Sequence, residues 1–92
     1  MIRYLRVVWH HDFDDEPVVL LSEVEDGREV RKIEKFRDGS AQYAGPGGGT
    51  GETMLSETLM PLPEDIAQDP QFSVEPTSAD DFESEWRAAG GE

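Results

Sequence analysis

The 92-residue chain contains no cysteine. That excludes a disulfide framework, a thiolate nucleophile and a thiolate metal site. It also fits a reducing compartment. Histidine occurs only at positions 10 and 11, too few to complete a zinc set of the usual kind. No apolar run is long enough to span a bilayer. The opening stretch, MIRYLRVVW, lacks the apolar core and small-residue cleavage pattern of a signal peptide. The expectation is a soluble cytoplasmic protein without membrane contact.

Positive charge is scarce as well. Eight basic residues face 21 acidic ones, a formal net charge of −13. The imbalance is uneven. Residues 1–45 hold seven basic and ten acidic residues, whereas residues 46–92 hold Arg87 alone against eleven acids. Such a surface repels nucleic acid and anionic membrane and steers a basic partner. Acidity that serves solubility alone is the competing explanation.

A chain of this length is one small domain, 1–92, with a modest core. Ile2 to His10 read as a strand, with Leu5, Val7 and Trp9 on one face and Tyr4, Arg6 and Val8 on the other. Leu5, Val7 and Trp9 are expected to face the core. Pro17 opens a second strand, Val18 to Val24, and Asp26-Gly27 is a hairpin signal. Glu29 to Arg37 form a third strand. Its apolar residues Val30, Ile33 and Phe36 break the period of two, which predicts a bulge. Asp38-Gly39 signals another turn, and Ser40 to Ala44 form a short fourth strand. Residues 1–45 thus read as a β meander and residues 46–60 as a Gly-rich flexible connector. Residues 61–89 read as a helical and extended region. There Pro63 starts a short helix, Glu64 to Gln68, and Phe72 and Val74 are apolar anchors in an extended connection. Ser78 caps the last helix, with Asp81 three residues on. Phe82 and Trp86, four apart, share its apolar face. The fold class is α+β: a three- to four-stranded antiparallel meander sheet packed by a C-terminal helix, plus one short helix.

Three motifs invite chemistry. In WHHDFDDEP, adjacent His10 and His11 point to opposite faces of a strand. His11, Asp12 and Asp15 are weak metal or acid–base candidates, weighed against a strand end running into an aspartate-rich turn. The turn is favoured. The glycine run GPGGGTG, residues 45–51, fails as a P-loop: no lysine stands where one is needed, and Glu52 would repel a phosphate. In the third strand, Arg31, Lys35 and Arg37 share a face that Arg6 can join. A salt-bridged surface with Glu23, Glu29 and Glu34 is favoured over an anion site. No nucleophile–base arrangement is legible, no catalytic residue is assigned, and no cofactor is expected.

The segments YLRVVWHHDFDDEPVVLLSEV, DGREVRKIEKFRDGS, PEDIAQDPQF and SADDFESEWR together resemble a small bacterial domain-of-unknown-function family. The positions that carry the resemblance are His11-Asp12-Phe13, Asp15-Glu16-Pro17, Glu29-Val30-Arg31-Lys32, Asp69-Pro70 with Phe72, and Trp86. The resemblance covers nearly all of the chain except the glycine run and implies no established activity. It implies a polar capping residue where Leu62 stands, so the short helix is less firmly started here. Small acidic bacterial proteins of similar class include immunity proteins, a loose analogy only.

The functional expectation is a protein-binding module, inhibitory or immunity-like, for a basic partner. Glu64, Asp65, Asp80, Asp81, Glu83 and Glu85 would supply the complementary charge. The alternatives are a small metal-dependent or acid–base enzyme centred on HHDFDDE and a structural homo-oligomer, a homodimer pairing through an open strand edge or an uncovered face bearing Tyr4 and Val8.

Overall fold

The structure, a computed structural model, describes residues 1–51 and 53–91. The role expected of Glu52 falls outside the described residues.

Alternation and turn chemistry place the first four strands: β1 (Ile2–Trp9), β2 (Val19–Glu25), β3 (Arg28–Lys35) and β4 (Ala41–Gly45). Asp26 and Gly27 both adopt positive φ, 51° and 84°, as a two-residue turn matched to strand twist requires. The third-strand bulge falls at Val30. Glu23 pairs with Arg31 and Val24 with Glu29, so Val30 is left without a partner.

The expected three- to four-stranded meander is corrected by two further strands. β5 (Gly48–Gly49) pairs with β4, and β6 (Phe72–Glu75) pairs antiparallel with β1. The six-stranded sheet has the non-sequential order β5-β4-β3-β2-β1-β6. Phe72 and Val74 are therefore strand residues: Phe72 lies opposite Trp9 and Val74 opposite Val7. Their spacing of two is the strand period, but four residues carry too little pattern to name a partner 60 positions away in sequence, a distance on the order of most of the chain.

Gly49 sits so close to β4 that a Cβ would lie 2.2 Å from the Tyr43 carbonyl oxygen and 2.8 Å from the Ala44 Cα. Both are backbone atoms and cannot step aside. Gly49→Ala is expected to detach β5 and cost about 1 kcal/mol, a typical point-substitution loss. Loss of slow hydrogen exchange at the Thr50 amide, which donates to Tyr43 at 2.8 Å, would report it.

The two helices are α1 (Pro63–Ile66) and α2 (Ala79–Ala88). In α1, Leu62 stands at the N-cap and makes no side-chain capping bond, and the helix lasts four residues. In α2, Ser78 Oγ accepts from the Asp81 amide at 3.1 Å. Phe82 and Trp86 are buried against Leu21 and Ile33, with Tyr4, Val19 and Tyr43 packed around them. α2 thus covers the face of the sheet that carries Tyr4. Leu5 and Val7 are also buried, but on the opposite face, under residues 53–66. Both faces of β1 are apolar, and that is why the pattern alone misleads about which one receives the helix.

Candidate functional site

Beneath α2, four side chains form one polar cluster inside an aromatic wall. Arg31 projects from β3 between the rings of Phe82 and Trp86, its guanidinium carbon 4.9 and 5.1 Å from their centroids. It donates through Nε and Nη2 to the two oxygens of Glu23 at 2.6 and 2.9 Å, a bidentate pair. It also donates to Glu83 on α2. Tyr4 completes the group by donating its hydroxyl to Glu23 at 2.8 Å. The arginine hydrogen bonds hold the Glu23 and Glu83 carboxyls below the usual carboxylate range. The bond to Glu23 raises the Tyr4 phenol above its ordinary value. Every polar atom here is answered from within, so the cluster fastens α2 to the sheet and offers nothing to a substrate. Lys35 binds Glu85 at 2.7 Å, and Arg6 binds Glu75 at 2.9 Å. The basic face of β3 is a salt-bridged surface.

The HHDFDDE stretch begins where β1 ends. His10 Nε2 meets Ser73 Oγ at 2.7 Å. His11 turns the other way and packs against Trp9 and Phe13, with ring centroids 4.3 and 5.3 Å apart. Its Nδ1 accepts from the Phe13 amide at 3.0 Å, so the proton resides on Nε2, which donates to the Pro17 carbonyl at 2.7 Å. Both ring nitrogens are thus occupied in shaping the loop. Asp12 and Asp15 are exposed. Among the described residues, no three histidine, aspartate or glutamate side chains converge to hold a metal ion.

The six acids named from the sequence do not form one patch. Glu83 and Glu85 are paired with Arg31 and Lys35. Asp80 and Asp81 occupy the first turn of α2, where the helix dipole favours them. Glu64 and Asp65 lie on α1, across the sheet from α2.

What the sequence does not reveal is a groove on that far face. Residues 53–60 cross the sheet there, fixed at one end by the Thr53 hydroxyl, which bonds Glu34 and Gln42, and along their length by three further bonds. Lys32 Nζ donates to the Met54 carbonyl at 3.2 Å, the Ser56 amide to Glu29 Oε1 at 2.9 Å, and the Met60 amide to the Gly27 carbonyl at 2.7 Å. Between this strap, α1 and the sheet lies a cavity of about 380 Å³. Leu5, Val7 and Leu20 form its floor, and Met60, Ile66 and Phe72 its walls. Among the described residues, three carboxylates line it: Glu29, Asp65 and Asp69. Glu29 is buried, and its second oxygen accepts from the Ser22 hydroxyl at 2.6 Å. The signal that could have found the groove is the second apolar stripe of β1, which the C-terminal helix alone cannot cover.

Comparison with known protein families matches residues 3–91 to Domain of unknown function (DUF6881). The chain belongs to this family. The match runs from β1 through α2, so both faces of the sheet lie within the DUF6881 domain. No curated protein and no solved structure matches the chain. Among its described residues, no helix is long and apolar enough to cross a membrane.

Proposed function

We propose that this DUF6881 domain is a protein-binding module for a basic partner, and that occupying the partner's basic surface inhibits it. The observation that carries this reading is the distribution of unanswered charge. Glu64, Asp65, Asp69, Asp80 and Asp81 make no ion pair among the described residues, while Arg31, Lys32 and Lys35 of β3 are engaged by the domain's own carboxylates. Among the described residues, unpaired carboxylates remain in the first half as well, among them Asp12, Asp15, Glu16 and Glu29, so the leftover negative potential is spread over both halves of the chain. It sets encounter rate and partner choice more than raw affinity. Two copies, each carrying −13, repel one another, and this weighs against self-association.

The test is retention of a basic protein on immobilised domain at low salt and at about 0.5 M, where the Debye length is about 4 Å. A specific partner held at low salt should be released at high salt, with an association rate lower by on the order of tenfold. Charge reversal at Asp65 with Asp80 should weaken it further. Association indifferent to salt and to these reversals would exclude the proposal.

A further inference from the structure

We propose that the groove between β1, β2, the 53–60 strap and α1 is the docking site for a short segment of the partner in which an apolar side chain is flanked by lysine or arginine. This rests on the protein-binding reading above and assigns it a place and an occupant.

Three observations select that occupant. The floor and walls are aliphatic and aromatic, so the inserted group is apolar. A volume of about 380 Å³ is near the lower end for ligand sites and suits one or two side chains, not a whole helix face. The charge around it is unbalanced. Glu29, Asp65 and Asp69 line the groove and make no ion pair among the described residues. The one lining cation, Lys32, is turned to the Met54 carbonyl and stands 3.9 Å from Glu34. Glu29 is the most informative of the three. It is 6% exposed, and the Ser22 hydroxyl and the Ser56 amide hold its carboxylate in one orientation. A carboxylate fixed by neutral donors at the edge of an apolar cavity is arranged to meet a cation entering with an apolar group. An acidic or purely apolar segment would leave that charge unanswered.

The apolar surface also continues past the groove. Phe72 lies 6.1 Å from Trp9, which packs on His11 and Phe13, and Phe13 is 59% exposed. A segment seated in the groove can extend along this aromatic row.

The probe is a phage-displayed random heptapeptide library panned on the intact domain, followed by titration of one enriched synthetic peptide. Enriched peptides should share an apolar residue within two positions of a lysine or arginine. Binding of the chosen peptide should fall at least tenfold in Ile66→Asp and in Asp65→Lys. Circular dichroism checks that each variant is folded. Because Asp65 is a surface residue of a four-residue helix, its variant keeps the test decisive if Ile66→Asp unfolds. Basic peptides that bind salt-sensitively, survive Ile66→Asp and Asp65→Lys, and are lost in Asp80→Lys would overturn the groove while leaving the basic-partner reading intact. Enrichment of acidic or uncharged peptides, or of none, would overturn the groove. So would saturation by n-hexylamine as tight as by the peptide. Salt-independent retention of the partner protein itself would remove the broader reading.

Discussion

Phe82→Ala is expected to be the most damaging single substitution in the domain, costing about 3–5 kcal/mol. Phe82 is completely buried and meets the sheet through Leu21, Ile33 and Tyr4, whose ring centroid lies 5.3 Å away. Its neighbours cannot collapse into the space. Leu21 and Ile33 are held by strand pairing on both sides, and Trp86 is stacked at 6.3 Å with Arg31 against it. The cavity would therefore persist, which puts the loss in the upper part of the range. Against a total stability of about 5–15 kcal/mol for a domain, that is a large fraction. Urea denaturation should show a lower midpoint at a similar slope. A loss under about 1 kcal/mol would mean that α2 is not the main cover of this face.

Arg31→Met comes next. Among the described residues, it removes the only cation bound to Glu23, whose side chain is 12% exposed, and leaves that carboxylate with the Tyr4 hydroxyl alone. Breaking one side of a buried pair costs about 3–5 kcal/mol, because the survivor stays charged and poorly solvated. Glu83, 38% exposed, is resolvated more readily and adds little. The double variant Arg31→Met, Glu23→Leu should recover much of the loss, since no stranded charge remains. Equilibrium denaturation of both singles and the double measures this coupling.

The same cluster predicts an acid response. The Arg31 hydrogen bond depresses the Glu23 carboxyl below its unfolded value of 4.5, so its stabilising effect is complete above that pH. It fades as pH falls through the lower folded value. Glu83 shifts in the same direction for the same first cause. The stability gap between wild type and Arg31→Met should hold constant near neutrality and narrow from about pH 5 to about pH 3. A gap that widens with acid would contradict the arrangement.

How much of this was legible depended on how much side-chain pattern each element carries. β1 to β4 announced themselves through alternation and two Asp-Gly turns, and the break of period in β3 located a bulge. α2 was readable from Ser78, Phe82 and Trp86. β5 was not, because two glycines have no side chains and its pairing is backbone alone. β6 showed the right spacing, but its partner is β1, and no local signal names a partner so far away in sequence. The site suffered for a different reason. Acids on α1 and α2 look alike in sequence, and only the layering shows that the sheet separates them. The apolar face of Leu5 and Val7 was recognised, yet what half-covers it is the 53–60 strap. Beyond the Thr53 hydroxyl, its hold on the sheet comes from main-chain groups at Met54, Ser56 and Met60, which any residue could supply.

The position of β6 beside β1 bears on how the chain is made. On a ribosome, β1 emerges first, and β2 to β5 can zip onto one of its sides as they appear. Its other side stays unpaired until residues 72–75 arrive; one face is covered only once the 53–60 strap and α1 have emerged, and the face that carries Tyr4 stays bare until α2 follows. An open strand edge beside an uncovered apolar face is a template for another chain. The nascent domain is thus most vulnerable just before its last quarter is synthesised, and native closure is expected to be late and all at once.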